Sequence, residues 1–177
     1  MEIKNRKYDI IYADPPWRYK TPLRWEKKGI KAIEDYYDTM ELEDIKNMNI
    51  PCKDNAWLIL WTTVPMLKEG IDVLESWGFE YRTMAIWDKL TGLGKFFRIY
   101  HEIILIGIKG NPKKPIYTAP SIFRGDRRKH SQKPKSVIGW IEKAFPDMDK
   151  IEFFARDKYS GWNTFGNQTD KEIQNFL

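Results

Sequence analysis

The turn Asp14-Pro15-Pro16-Trp17 is the part of the sequence best suited to chemistry. Proline fixes φ and has no backbone N–H, so two prolines stiffen the turn and their carbonyls are expected to face outward as acceptors. With the Asp14 carboxylate they would bind the hydrogens of an exocyclic amino group and orient its lone pair toward a methyl donor. Trp17 would offer a stacking face for a base. The spacing leaves a second interpretation open, a proline-rich turn followed by a core tryptophan.

The strands that would position this turn are indicated by hydrophobic periodicity. Apolar runs predict four buried strands, and two further runs predict a more polar strand and a short one. These strands are expected at residues 8–13, 56–61, 79–87, 102–109, 151–155 and 162–165. Asp14 follows the first of them directly. Open α/β sheets bind ligands at the carboxyl ends of their strands, which places the turn at a functional edge.

Helices are predicted between the strands. Thr39 is a candidate N-cap for a short helix over 39–48, while Pro65 and Pro134 are typical first residues of longer helices. Gly78 is expected to end the helix that begins at Pro65. Strands that alternate with helices predict an α/β fold in which helices flank a mostly parallel central sheet.

Composition excludes several classes of protein. The 177 residues include a single cysteine, Cys52, which rules out an internal disulfide, and only two histidines, so no zinc or other metal is expected. No run of about 18 apolar residues is present, and the polar N-terminus lacks the apolar core of a signal peptide. We therefore expect one domain over residues 1–177 and a cytoplasmic location.

The net charge of +5 is concentrated in two segments. Residues 109–135 hold nine basic residues and one acidic residue, a balance of +8, and residues 18–31 hold six and one, a balance of +5. Both are expected to be loops that flank the proposed site and bind nucleic-acid phosphates, although charge runs are also typical of plain solvated surface. Tyr19 is a candidate for stacking on an unpaired base. The basic residues assigned to this interface are Arg18, Lys20, Arg24, Lys27, Lys28, Arg124, Arg127, Arg128 and Lys129.

A set of sequence blocks in a fixed order carries a family resemblance. The blocks are Ala13-Asp14-Pro15-Pro16-Trp17, Tyr37-Asp38-Thr39-Met40, Leu58-Ile59-Leu60-Trp61, Trp77-Gly78-Phe79, His101-Glu102, His130-Ser131-Gln132-Lys133-Pro134, Glu152-Phe153-Phe154-Ala155-Arg156 and Gly166-Asn167-Gln168. Together they resemble the adenine N(6)-methyltransferase family that includes the catalytic subunit of the messenger-RNA adenosine methylation complex. Phage and bacterial DNA-methylating enzymes are further relatives. The resemblance covers nearly the whole chain, from about residue 8 to residue 168.

The resemblance implies a Rossmann-like fold that uses S-adenosylmethionine and releases S-adenosylhomocysteine. The turn at Asp14 would bind and orient the target adenine, and Lys133 would pair with the cofactor carboxylate. Arg156 and Asn167 would hold the ribose hydroxyls, with Gln168 near the cofactor adenine. The residues implied to bind the cofactor are Asp14, Lys133, Glu152, Phe153, Arg156, Asn167 and Gln168. Phe153 also fits an ordinary core position.

The implied activity is methyl transfer to the 6-amino nitrogen of adenine, with DNA as the preferred polymer, in a bacterial, archaeal or phage-infected cell. The same reaction on RNA stays open, because no residue distinguishes the two sugars. A non-catalytic nucleic-acid-binding subunit is the third interpretation, which the intact turn at Asp14 and Lys133 disfavour. No target-recognition domain is evident, so sequence selectivity would be low or would come from loops or a partner subunit, and the chain could act as a homodimer. His101 and Glu102 are assigned a structural role at the start of a strand.

Overall fold

A computed structural model describes residues 6–19, 39–90, 92, 94, 96–124, 133–156 and 158–166, and this part of the chain contains seven strands and three α-helices. The strands are β1 (Tyr8–Ala13), β2 (Cys52–Thr62), β3 (Glu80–Asp88), β4 (His101–Lys109), β5 (Ile122–Arg124), β6 (Lys150–Phe153) and β7 (Trp162–Phe165). The helices are α1 (Leu42–Lys46), α2 (Leu67–Ser76, preceded by the 3-10 turn Val64–Met66) and α3 (Lys135–Ala144). None of the described helices is long and apolar enough to cross a membrane.

The strands form one sheet with the order β5-β3-β4-β2-β1-β6-β7. Strand β4 runs antiparallel to both of its neighbours, and every other described pair is parallel. The predicted α/β fold with a mostly parallel sheet is therefore confirmed.

Five strands of the sheet each have one end at a common edge. Ala13 pairs with Leu60 of β2 and with Phe153 of β6, so the turn that begins at Asp14 lies where all three strands end. Because β4 runs in the opposite direction, its first residues lie at this same edge. Glu102 consequently sits opposite Trp87, near the end of β3. We call this side the catalytic edge.

The core lies on both faces of the sheet, and the alternation of side chains along β1 and β2 divides it. Ile11 and Leu58 face one cluster, which includes Val73 of α2, while Ile10 and Ile59 face the other, which includes helix α3. This two-residue period follows from the pleat of a strand. A fully buried side chain of this size contributes about 1.5–3 kcal/mol, so the two layers fix the sheet firmly beneath the catalytic edge.

Several predicted elements differ from the structure in their limits. The first helix covers only Leu42–Lys46 and follows Glu41, which makes no side-chain cap bond, so the predicted cap at Thr39 is wrong. Strand β5 lies in a segment that was expected to be loop, because a three-residue strand is too short to show a period. Gly78, at φ 80°, follows α2 as predicted.

Candidate active site

Lys133 joins two carboxylates at the catalytic edge. Its Nζ atom lies 2.9 Å from Asp14 Oδ1 and 2.9 Å from Glu102 Oε2. The same ammonium group lies 5.0 Å from the centre of the Trp61 ring, close enough for a cation–π contact. Lys89, which follows β3, lies 3.0 Å from the other oxygen of Glu102. Four charged groups from four segments therefore form one chain of contacts.

The position of Lys133 depends on helix α3. Pro134 is the N-cap of that helix, with a buried ring and an extended backbone conformation that suits proline. A helix N-terminus carries partial positive charge and disfavours a nearby ammonium group by less than about 1 kcal/mol. The two carboxylates outweigh this effect, because each forms a short, partly buried ion pair with Lys133.

The charges of the site shift the pKa values of its members. Burial raises the pKa of Asp14, Lys133 opposes that rise, and the negative charge of Glu102 adds to it. Burial alone would raise the pKa of Glu102, but Lys133 and Lys89 together outweigh it and lower the value to about 2. Burial would lower the pKa of Lys133, yet Asp14 and Glu102 raise it above its ordinary value. Glu102 and Lys133 are consequently charged at neutral pH, and the ion pair with Lys133 favours the charged form of Asp14.

Backbone hydrogen bonds hold the turn after β1. The Trp17 N–H donates to the Pro15 carbonyl at 2.9 Å, and the Met40 N–H donates to the Pro16 carbonyl at 3.0 Å. Both prolyl carbonyls thus have a donor within the chain, which corrects the expectation that they face outward. A carbonyl oxygen retains a second lone pair, so each can still accept one further hydrogen bond.

Trp17 lies in the core beneath this turn. Only 5% of its surface is exposed, and its Nε1–H donates to the carbonyl oxygen of Trp61 at 3.2 Å. The prediction that Trp17 offers a stacking face for a base is therefore wrong. The structure instead agrees with the second interpretation of the spacing, in which Trp17 belongs to the core. The indole instead ties the turn to the end of β2.

The turn after β6 is sharp and contains no glycine. Phe154 adopts φ 64°, a left-handed conformation that costs a non-glycine residue about 1 kcal/mol or more. Gly166, the residue after β7, lies against the backbone of Ala155. A Cβ atom at Gly166 would lie only 2.2 Å from the Ala155 carbonyl oxygen. Arg156 follows this turn, and its charge acts to lower the pKa of Asp14.

Two other residues implied to bind the cofactor lie within β6. Phe153 is fully buried, and its ring stacks on Phe165 with centroids 5.9 Å apart, so it occupies the core position that the sequence also allowed. Glu152 is buried as well, and its charge acts on the neighbouring Tyr12. Asn167 and Gln168 lie outside the described residues.

The residues assigned to a nucleic-acid interface are partly described. Arg18 is exposed and pairs with Glu41, while the hydroxyl of Tyr19 lies 2.9 Å from Thr63 Oγ1. Arg124 is exposed beside Asp88, with 3.8 Å between the charged atoms. The other members fall outside the described part of the chain, namely Lys20, Arg24, Lys27, Lys28, Arg127, Arg128 and Lys129.

Sequence reasoning placed Glu102 in a structural role and did not single out Lys89. The structure puts both in the charge network of Asp14. A glutamate at the start of a strand that is otherwise nearly all apolar was the available signal, because a buried carboxylate needs a partner. Among the described residues, no group of histidine, cysteine, aspartate and glutamate side chains could hold a metal ion.

Comparison with known proteins identifies relatives along almost the entire chain. The chain is 34% identical to the type II methyltransferase M.MunI of Mycoplasma sp. over 184 residues, which cover 93% of the chain and 79% of that protein. It is 30% identical to the N(6)-adenosine-methyltransferase catalytic subunit METTL3 of Homo sapiens, over 93% of the chain but only 28% of that protein. A putative N(6)-adenosine-methyltransferase of Medicago truncatula is also 30% identical, over 26% of its length.

The family comparison agrees with these pairwise relatives. The sequence model of the MT-A70 family matches residues 8–168, which include the turn at Asp14, Glu102 and Lys133. The resemblance indicated by the ordered sequence blocks is thereby confirmed. The chain belongs to the MT-A70 family.

Proposed function

We propose that the chain transfers a methyl group from S-adenosylmethionine to the 6-amino nitrogen of adenine in DNA. The arrangement that carries this proposal is the Asp14–Lys133–Glu102 triplet at the catalytic edge. The triplet lies at the carboxyl ends of the parallel strands, where open α/β sheets bind ligands. Membership of the MT-A70 family supplies the reaction class.

The charges at this edge suit S-adenosylmethionine. That molecule carries a carboxylate, an ammonium group and a sulfonium centre, and it supplies the electrophilic methyl group when bound. Lys133 and Arg156 are cations suited to its carboxylate and hydroxyl groups, while Asp14 suits its positively charged part. Glu152 lies at the end of β6 beside the same edge. Asn167 and Gln168 complete the proposed cofactor site by family resemblance.

Asp14 and Pro15 would bind the target amino group. Lys133 contacts the Oδ1 atom of Asp14, and Oδ2 can accept one amino hydrogen. The second lone pair of the Pro15 carbonyl can accept the other, which aims the nitrogen lone pair at the methyl carbon. S-adenosylmethionine would supply the methyl group and leave as S-adenosylhomocysteine, Asp14 would orient the amino group, and the proton lost from the amino nitrogen would pass to solvent. Glu102 acts as a positioning residue, because it holds Lys133 from the far side.

DNA is proposed as the polymer because the chain matches M.MunI, a type II methyltransferase by name, over most of both lengths. RNA is the second candidate, favoured by the names of the N(6)-adenosine-methyltransferases. DNA and RNA oligonucleotides of equal sequence, supplied together in one assay, would separate the two. The exposed basic residues Arg18 and Arg124 would contact phosphates, and a second copy or a partner subunit would add recognition.

The proposal is tested by transfer of a labelled methyl group to adenine-containing DNA. We expect Asp14→Asn to reduce transfer by at least about 100-fold, because the neutral amide loses the ion pair with Lys133 and accepts the amino hydrogen more weakly than a carboxylate does. Asp54→Asn is the matched control, since Asp54 is exposed on β2 away from the catalytic edge. Equal labelling by wild type and Asp14→Asn would refute the proposed role of Asp14. Absence of labelling by wild type would refute the activity.

A further inference from the structure

The loop between β3 and β4 is closed at its base by specific hydrogen bonds. The Lys89 N–H donates to the Tyr100 carbonyl at 2.6 Å, and the Leu90 N–H donates to Asp88 Oδ1 at 3.0 Å. The Lys89 side chain reaches Glu102 at 3.0 Å. Because Glu102 shares Lys133 with Asp14, the base of the loop is joined directly to the proposed active site.

Glycines allow the two arms of this loop to lie against each other. A Cβ atom at Gly92 would lie 1.8 Å from the Ile99 carbonyl oxygen, and one at Gly94 would lie 1.7 Å from the Phe97 carbonyl oxygen. No side chain fits at such distances, so both positions require glycine. Three residues separate Phe97 from Tyr100 at the base of the loop, so the two lie at most about 10 Å apart at an extended rise of about 3.3 Å per residue.

Two adjacent aromatic residues occupy the tip. Phe96 is 86% exposed and Phe97 is 83% exposed, whereas most large apolar residues of the described chain are buried. Apolar surface that is presented to solvent in this way marks an interaction site. Arg98 beside the tip is exposed, and Arg124 lies next to Asp88 at the base of the loop. Positive charges that flank an aromatic tip fit a polyanion with flat bases.

We propose that Phe96 and Phe97 stack on nucleic-acid bases that neighbour the target adenine. This inference rests on the proposed function, since it assigns the loop to the same polymer. An adenine that enters the pocket must leave its stack, and apolar side chains inserted beside it offset the lost stacking. A distance of up to about 10 Å spans as many as roughly three stacked bases, at about 3.4 Å per base. Since the base of the loop is linked to Asp14 through Lys89, Glu102 and Lys133, a tip at this distance would contact the neighbours of the bound base.

The test compares two fluorescent 12-nucleotide single strands that differ only in their bases. One has a mixed sequence, and in the other the central six nucleotides are abasic, so both carry the same phosphates. The variant is the double substitution Phe96→Ala/Phe97→Ala. The matched control is Ile116→Ala, because Ile116 is 77% exposed but lies beside the C-terminal end of α3, at the opposite edge of the sheet.

We expect the double variant to bind the base-bearing strand about tenfold more weakly and the abasic strand as wild type does. Ile116→Ala should match wild type on both strands. Equal weakening on both strands, no weakening on either, or no binding by wild type would overturn the inference. So would loss of a dimer in sedimentation together with unchanged affinity, which would assign the tip to a second copy of the chain. Absence of methyl transfer by wild type would refute the proposed function alone, since binding is measured separately.

Discussion

Two carboxylates share one ammonium group at the centre of the proposed site. Asp14 and Glu102 would repel each other in this largely buried position if Lys133 did not lie between them. Lys89 adds a second cation on the outer side of Glu102, so two negative and two positive groups balance. The network is therefore close to neutral, which is the condition under which buried charges are tolerated. Within it the ammonium group of Lys133 favours the ionised form of Asp14, which is the form that accepts hydrogen bonds.

Replacement of Lys133 should change the pH profile of methyl transfer. Lys133→Met removes the charge that holds down the pKa of Asp14, so that pKa should rise further. Because the ionised carboxylate is the active form, the acidic limb of the activity profile should move to higher pH. Methyl transfer at neutral pH should fall by about 100-fold.

Initial rates of labelled methyl transfer between pH 5 and pH 9 would measure both effects of Lys133→Met. Lys68→Met, an exposed position in α2, is the control and should leave the profile unchanged. An acidic limb at the wild-type pH in Lys133→Met would show that Lys133 does not control the ionisation of Asp14.

Stability should depend on pH through Glu102. Its pKa is about 2 in the folded chain against an ordinary value of 4.5, so the ionised form stabilises the fold above about pH 4.5. This stabilisation is lost as the pH falls from 4.5 through 2, and the gap corresponds to at most about 3 kcal/mol. Glu102→Gln should therefore lower the free energy of unfolding by about 1–3 kcal/mol at pH 7, and by less at pH 3.

Urea unfolding of wild type and Glu102→Gln at pH 7, 5, 4 and 3 would follow that difference. Glu43→Gln provides a control, because Glu43 forms only an exposed pair with Lys46 and should change stability by less than about 1 kcal/mol. A Glu102→Gln penalty that is the same at pH 3 and pH 7 would contradict the assigned ionisation.

Residue types at the site were predictable only where a local pattern marked them. Asp14 stands at the end of an apolar run, and Lys133 stands before a proline that begins a helix. Glu102 is 88 residues from Asp14, and only the antiparallel direction of β4 brings the two to one edge. Trp17 was misjudged as a stacking face because its burial depends on contact with Trp61, which no local pattern shows.

Helices α2 and α3 each contain a glycine near the middle, and the two glycines meet different surroundings. A Cβ atom at Gly70 would lie 2.9 Å from Thr62 Oγ1 and 3.1 Å from a methyl carbon of Leu105, so α2 packs on the sheet with no space to spare. A Cβ atom at Gly139 would meet no described atom within 4 Å. Gly70 is thus required for close packing, and Gly139 is not.

Alanine at these two positions should change stability in opposite directions. Gly139→Ala should raise the free energy of unfolding by about 0.5–1 kcal/mol, because alanine has the higher helix propensity. Gly70→Ala gains the same propensity but should lower the free energy by about 1–3 kcal/mol, since helix α2 must move away from the sheet. Urea denaturation of both variants measures the difference. A stabilising Gly70→Ala would show that α2 does not pack as closely as described.

The sequence predicted elements well where an apolar period extended over a full helix or strand. The limits of β1 and β7 match the prediction, and Pro134 precedes α3 as expected for a helix-opening proline. Residues of β2 before Ala56 were missed, because Lys53, Asp54 and Asn55 interrupt the apolar pattern although their backbone continues the strand. Elements whose extent is set by pairing with a neighbour, rather than by their own residues, could not be delimited from sequence.

At the scale of the whole molecule, the fold divides the basic segment over 109–135. Strand β4 begins at the catalytic edge and runs about 25 Å away from it, so Lys109 and the following Lys113 and Lys114 lie toward the opposite edge. Strand β5 then returns the chain, and Arg124 pairs in register with Asp88 at the catalytic edge. The expectation that this whole segment flanks the proposed site is therefore wrong for its first part. Charge counts along the sequence cannot detect this, because the separation arises from strand direction.

This division predicts which basic residues contribute to the salt dependence of DNA binding. Each phosphate contact contributes about 0.9 to the slope of log affinity against log salt concentration on duplex DNA. Arg124→Ala should reduce the slope by about 0.9, since Arg124 lies at the catalytic edge and its side chain is 76% exposed. Lys114→Ala should leave the slope unchanged, although both residues belong to the same basic run. Fluorescence titrations of a DNA duplex between 50 and 300 mM salt measure the slopes. Equal reductions of the slope in the two variants would indicate that the nucleic acid binds by overall charge rather than at the catalytic edge.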